Sequence, residues 1–283
     1  MYPIIYDFGM IDLLGFQFHL AIYSFGLMLV VAFYACYFLL DNDLRRLGHD
    51  DKLASDIIFW SALGGIIGSK VYHVIENLDQ IMASQNPMGM IFSGSGLVFL
   101  GGLIGAVFAV TIILNKYEVS WLMFADQLAP LILLGYAIGR IGCLLVGDDY
   151  GIPSSLPWAV SFPEGLPPTT TSVFAYQFPW IDISTQTAGV IKVHPTQAYE
   201  TLICGALFFL LWSKRQNVIV PGSLFFQYLI FAGTERFFIE FLRTNEKYLF
   251  DIFSGAQILS LFMICIGSYL LMNPTSNGKT DTA

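Results

Sequence analysis

The chain reads as an all-α integral membrane protein with about seven transmembrane helices and a periplasmic cap. Three observations predict this. Of its 283 residues 55% are apolar and only 12% charged, where an ordinary soluble chain carries about 25% charged residues. Mean hydropathy is +0.65. The apolar residues also gather into runs of about 20, the length of helix that crosses a hydrocarbon core. A soluble enzyme and a disordered chain both fit this composition poorly. The net charge of −8, with no basic stripe, leaves no place for a nucleic-acid partner.

The runs lie at roughly 18–40, 54–75, 94–115, 121–146, 195–213, 223–241 and 256–272. The first and last contain no Asp, Glu, Lys or Arg. The second carries Asp56 and Lys70, the glycine-rich third carries Gly101 and Gly102, and the fourth carries Asp126 and Arg140. Glu200 opens the fifth, and the sixth is interrupted by Glu235, Arg236 and Glu240. Residues 1–283 read as one polytopic membrane domain without repeats or low-complexity tracts. The N-terminus shows neither a basic region nor a small-residue cleavage site, so no signal peptide is expected. Cys36, Cys143, Cys204 and Cys265 lie in apolar stretches without CxxC spacing, which supports neither a metal site nor a disulfide framework. No cofactor is expected.

Orientation follows from the basic residues between the runs. Arg45, Arg46, Lys52, Lys116, Lys214, Arg215 and Lys279 fall on one side, against Lys192, Arg243 and Lys247 on the other. The N-terminus is therefore expected in the periplasm and the C-terminus in the cytoplasm. The longest loop, 148–193, then lies outside. It is rich in proline and aromatics, including Pro153, Pro157, Trp158, Pro167, Pro168 and Trp180, and reads as an ordered cap against the membrane surface.

The charges within the runs carry the functional argument. A charge at the bilayer centre costs about 2.5–3.5 kcal/mol on insertion scales, so it faces a protein interior or a wet cavity. Arg236 and Glu240, four residues apart on one helix face, could simply lock each other in place. Two arginines on different helices ask for more, because the guanidinium fork matches phosphate or carboxylate. Arg140 sits among Gly139, Gly142, Gly147 and Gly151, which let backbone approach a headgroup or a neighbouring helix. Gly101-Gly102-Leu103-Ile104-Gly105 admits the same two explanations. His194 opens His194-Pro195-Thr196-Gln197-Ala198-Tyr199-Glu200, a helix start in which it serves either as a structural hydrogen-bonder or as a base.

These segments together resemble the prolipoprotein diacylglyceryl transferases. Gly139-Arg140-Ile141-Gly142 through Gly147 and Gly151 is similar to the family's signature, led by Asp126 to Pro130. Gly101-Gly102-Leu103-Ile104-Gly105, His194-Pro195-Thr196-Gln197 with Tyr199-Glu200, and Arg236 to Arg243 followed by Gly255 to Ser260 match its other motifs, in order, from about residue 20 to 272. The resemblance implies seven helices of the bacterial inner membrane with a periplasmic cap. It also implies transfer of diacylglyceryl from phosphatidylglycerol to the thiol of a lipobox cysteine in a prolipoprotein, with release of glycerol phosphate. Arg140, Arg236 and Glu240 match the family's essential residues. Arg140 and Arg236 are expected to bind the headgroup with Gly101, Gly102, Gly142 and Gly151, Glu240 to orient an arginine, and His194 to join the catalytic set.

Three positions depart from the family. Leu100 stands where a His or Tyr is common, Cys143 where asparagine is usual, and Phe25 where tyrosine is usual. Two readings follow: a transferase whose base has moved, to His194 or Asp148, or whose acceptor thiol needs little help; or a paralogue that binds headgroups and transfers elsewhere or not at all. Cys143, beside Arg140, reads as an inert buried thiol or, in the second case, a reactive one. A small-solute transporter is weaker, for want of an inverted repeat.

Overall fold

The computed structural model describes residues 2–13, 16–84, 87–91, 98–184, 186, 188–249 and 252–273. It opens on an antiparallel hairpin, β1 (Ile4–Leu13) and β2 (Phe16–Tyr23). The helices follow: α1 (Ser24–Arg46), α2 (Leu53–Glu76), short α3 (Leu78–Ala83) and α4 (Pro87–Ile91), α5 (Phe99–Lys116) and α6 (Trp121–Val146). After short α7 (Thr171–Gln177) come α8 (Thr196–Lys214), α9 (Ser223–Ile239) and α10 (Gly255–Met272). The protein is thus mostly helical.

The long helices follow the apolar runs within a few residues, with one correction. The first run was expected to be helical from residue 18, but Phe16–Tyr23 is a strand and the helix begins at Ser24. That segment is apolar and aromatic enough to read as helix, yet aromatic and branched residues also suit a paired strand, and β1 supplies the partner. The hairpin is anchored where the Ser24 amide donates to Pro3 and the Tyr2 amide to Leu145. Lys279 and residues 94–97 of the third run lie outside the described residues.

Among the described residues, α1, α2, α5, α6 and α10 are long and apolar enough to cross a membrane. Their outer faces carry large apolar side chains: Phe108 and Phe262 are 68% and 62% exposed. In water such surfaces would be costly, whereas hydrocarbon is as apolar as they are.

The chain divides into two compact units, Tyr37–Phe124 and Met1–Cys36 with Ala125–Ala283. In the first, α2 and α5 cross through Gly64 and Gly68 against Gly101 and Gly105. A Cβ on Gly101 would collide with the Gly68 carbonyl and Tyr72 Cβ. This is the small-xxx-small packing that membrane helices use for close approach. Gly101→Val is expected to lower the thermal midpoint in detergent by an amount equivalent to about 1–3 kcal/mol, the usual cost of overpacking. An unchanged midpoint would show that the crossing tolerates a side chain. At the helix ends Asp56 accepts from Tyr117 Oη (2.8 Å) and Lys116 Nζ (3.3 Å), which accounts for one of the charges in the runs.

In the second unit Asp126, buried on α6, accepts from the amides of Gly222 (2.6 Å), Leu224 (2.8 Å) and Phe225 (2.9 Å). These are amides of the first turn of α9, which its own helix cannot satisfy. Gly222 stands at φ 89°, where glycine is favoured. Removing the carboxylate leaves buried donors unpaired, so Asp126→Ala is expected to cost about 2–3 kcal/mol in a detergent unfolding titration. Asp126→Asn should retain part of that loss.

The described residues of 148–193 have a small core of their own: Tyr150, Phe162, Phe174, Ile191 and Val193 are all buried. Tyr150 stacks on Phe162 (ring centroids 5.7 Å apart) and on Phe174 (6.2 Å). The segment is tied to the end of α9 by the Ile152 amide on the Leu242 carbonyl (2.8 Å) and by Trp180 Nε1 on the Thr244 carbonyl (2.8 Å). Those ties hold residues 149 and 243 in place.

Candidate functional site

Within the larger unit, three arginines converge on one glutamate. Arg140 projects from the last third of α6, Arg236 from the last turn of α9, and Arg243 from just beyond the 3-10 turn Glu240–Leu242. Glu200, one turn into α8, is fully buried. Its Oε1 accepts from Arg140 Nη2 (3.1 Å), Arg236 Nη1 (3.3 Å), Arg243 Nη1 (3.5 Å) and Tyr136 Oη (3.1 Å). Its Oε2 makes a close ion pair with Arg140 Nε.

Two further carboxylates complete the cluster. Glu240 Oε2 pairs with Arg236 Nη2 at 2.9 Å, the contact that i,i+4 spacing predicts, and with Arg243 Nε at 3.8 Å. Its Oε1 accepts from Asn245 Nδ2 and Ser254 Oγ, both at 2.7 Å, so its position is fixed from the other side. Asp149 bridges Arg140 Nη1 (2.7 Å) and Arg243 Nη2 (3.1 Å). It sits at φ 55°, a left-handed backbone that non-glycine residues seldom adopt. Partial burial alone would raise its pKa, but Arg243 and Arg140 bring it below the usual carboxylate value. Beside it, burial and the Asp149 charge push the Asp148 carboxyl up.

The three arginines are balanced by three carboxylates of unequal accessibility. Glu200 and Glu240 have side chains 0% and 1% exposed, whereas Asp149 is 50% exposed. Arg236 is the most open arginine, at 26%. Burying charges costs several kcal/mol per ion even when they are paired. The arrangement therefore holds cationic forks in a poorly hydrated place, with one exchangeable counter-ion at the edge. Such a site can bind an anion and stabilise charge that develops on it. Among the described residues no group of three or more His, Cys, Asp or Glu is placed to hold a metal ion.

The structure brings Arg140, Arg236 and Glu240 into one cluster, of which the sequence spacing suggested only the Arg236–Glu240 contact, and adds Glu200, Arg243, Asp149 and Tyr136. The signal for Glu200 was its charge at the start of an apolar run; Arg243, just past the end of one, read as a loop residue. His194 is held elsewhere: its Nδ1 lies 3.4 Å from Tyr199 Oη, which also accepts from Trp158 Nε1 (2.7 Å). Among the described residues no hydrogen bond or ion pair links its ring to the arginines, and burial lowers its pKa. Gly142 packs on Met28 and Phe25 of α1, and Gly151 on Thr196, His194 and the Leu242 carbonyl. Gly101 and Gly102 belong to the other unit, in its helix crossing. Buried Cys143 lies with Sγ 3.7 Å from Arg140 Nη1.

Fold and site together define a multi-pass membrane protein with an arginine–carboxylate site buried in its helical core. The family profile described as prolipoprotein diacylglyceryl transferase matches residues 13–273. Similar proteins carry the name phosphatidylglycerol–prolipoprotein diacylglyceryl transferase. One from Clostridium tetani is 32% identical over 254 residues, covering 89% of this chain and 93% of the relative. Those of Shewanella oneidensis (30% over 281 residues, 96% and 95% covered) and Aeromonas hydrophila (31% over 275, 93% and 90%) are alike along nearly their whole length. The chain belongs to the prolipoprotein diacylglyceryl transferase family, and its enzyme class is that of a transferase.

Proposed function

We propose that the protein transfers the diacylglyceryl group of phosphatidylglycerol to the cysteine thiol of a prolipoprotein lipobox, forming a thioether and releasing glycerol phosphate. The observation that carries this is the triple-arginine cluster with half-exposed Asp149 as its replaceable counter-ion. A phosphodiester headgroup would take the place of the Asp149 carboxylate between Arg140 and Arg243, with Arg236 at the open edge. As the glyceryl C–O bond breaks, the leaving phosphate gains a second negative charge. Fixed guanidinium donors in a water-poor site favour that charge more than the ground state. Glu200 holds the three forks in register, and Glu240 orients Arg236.

The seven long apolar runs read as seven spans of one polytopic domain, 1–283, in the bacterial inner membrane. The distribution of Lys and Arg supports a periplasmic N-terminus, a cytoplasmic C-terminus, and the cap 148–193 on the periplasmic face. Gly142 and Gly151 serve by bringing α1 and the cap close around Arg140. Gly101 and Gly102, with His194, remain part of the substrate-binding and catalytic set that the family resemblance implies.

A second reading keeps headgroup binding without this transfer. Leu100, Cys143 and Phe25, which replace polar residues usual in the family, favour it. Purified protein, phosphatidylglycerol and a lipobox peptide, followed by mass spectrometry, separate the two. A diacylglyceryl thioether on the peptide is the expected product. Lipid binding without any adduct, beside an active family member as control, would establish the second reading.

A further inference from the structure

Thioether formation needs a proton acceptor, since the thiolate and not the thiol is the nucleophile. Within the arginine cluster, Glu200 and Glu240 are committed to arginines, and protonating either would break the balance that holds the cluster; Asp149, once displaced by the headgroup, is a half-exposed carboxylate at the open edge of the cluster. Asp148 lies at the end of α6, its backbone carbonyl bound by Gln197 Nε2.

Asp148 Oδ1 is, like Glu235 Oε1, buried without a hydrogen-bond partner among the described residues; what sets Glu235 apart is the cavity it lines. Glu235 precedes Arg236 on α9, so its side chain leaves the helix about 100° around from the one that enters the cluster. There it lines a cavity of about 470 Å³ whose other walls include Ile203 and Leu207 of α8, Phe231 and Phe238 of α9, and Leu242. Ile203 and Phe238 are 43% and 65% exposed, so the cavity opens on the apolar outer surface. Glu235 Oε1 is buried and has no hydrogen-bond partner among the described residues. A buried carboxylate oxygen without a donor is costly and is an acceptor awaiting one. The charged and titratable groups around it are Arg236 on its own helix, Tyr199, Glu200 and Cys204 on α8, Tyr136 and Arg140 on α6, and Arg243.

We propose that Glu235 is the general base that receives the proton of the acceptor thiol, the thiol entering through the apolar cavity between α8 and α9. This rests on the transferase reading above. The S–H proton passes to the Glu235 carboxylate, and the thiolate attacks the glyceryl carbon that bears the phosphate. A C–S bond forms as the C–O bond breaks, with its electron pair leaving on the phosphate oxygen beside the arginines. Glu235 then gives the proton to the released phosphate monoester or to water. No other reactant is needed.

The test compares Glu235→Gln with the wild type on phosphatidylglycerol and a lipobox peptide, with lipid binding measured in parallel. A general base contributes about 10²–10⁴-fold, so the variant's turnover is expected to fall about 10²–10³-fold while phosphatidylglycerol binding stays within about twofold. Its residual rate is expected to rise about tenfold per pH unit below the thiol pKa of about 8.5, because only pre-ionised thiols react. A peptide with selenocysteine in place of the acceptor cysteine, already ionised at neutral pH, is expected to restore most of the rate. Unchanged turnover and pH profile in the variant overturn the assignment. So does a loss that selenocysteine leaves unrepaired, or a loss of lipid binding, which would make Glu235 structural. Absence of any adduct with wild-type protein, beside the active control, instead overturns the transfer itself and the base role with it.

Discussion

Arg140→Ala is expected to lower diacylglyceryl transfer by about 10³-fold, the order seen when one fixed donor to a developing oxyanion is lost. Arg140 reaches two carboxylates: its Nη1 holds Asp149, while its Nη2 and Nε hold Glu200. A phosphate that displaces Asp149 inherits the Nη1 contact without any rearrangement of the fork. The second negative charge of the leaving phosphate appears only after binding, so turnover is expected to fall more than lipid affinity. Arg140→Lys keeps the charge but offers a single point in place of a planar fork. It is expected to retain only about a tenth to a hundredth of the activity. Adduct formation by mass spectrometry across a phosphatidylglycerol titration separates turnover from affinity. Activity within about threefold of wild type for Arg140→Ala would remove Arg140 from the headgroup site, because no donor of that strength could be lost so cheaply.

Glu200→Gln is expected to produce the largest loss of stability. The substitution keeps size and one acceptor oxygen but removes the charge on which the arginines converge. Three arginines would then face only Glu240 and Asp149. Breaking a buried ion pair by removing one partner costs about 3–5 kcal/mol, because the remaining charge stays desolvated. The excess positive charge has a second consequence: an anionic lipid now supplies what the glutamate supplied. Phosphatidylglycerol is expected to raise the thermal midpoint of Glu200→Gln more than that of the wild type, following the linkage of binding to stability. Unfolding in neutral detergent, with and without phosphatidylglycerol, checks both statements. An unchanged midpoint would mean that Glu200 is not the electrostatic centre of the site.

The residues of the site were unequally visible before folding. Arg140 and Arg236 stood out because an arginine inside an apolar run has no cheap solution in a bilayer. Glu240 followed from Arg236 through the geometry of a single helix turn. Arg243 was hidden because it lies beyond its run, where a loop residue facing water looks the same in sequence. The 3-10 turn Glu240–Leu242 and the bridge from Gly151 to Arg243 bring it back inward. Asp149 was hidden for a similar reason, being set by its left-handed backbone just beyond the end of α6. The hairpin at the N-terminus was missed because apolar aromatic residues suit helix and strand alike until a partner strand is known.

What the sequence determined by itself is everything local: that the chain lies in a membrane, where its long helices run within a few residues, which charges lie inside them, and that Arg236 meets Glu240. Those properties depend on composition and on periods of a few residues. Only the tertiary structure decided that Glu200 is the hub, that Asp149 bridges Arg140 and Arg243 while half exposed, and that Glu235 lines an apolar cavity. The contacts of Glu200 with Arg140, Arg236 and Arg243 join residues 60, 36 and 43 positions apart. Helical periodicity says which face a side chain occupies; which faces meet is set by how glycines, caps and apolar surfaces pack, and that packing leaves no local trace in the chain.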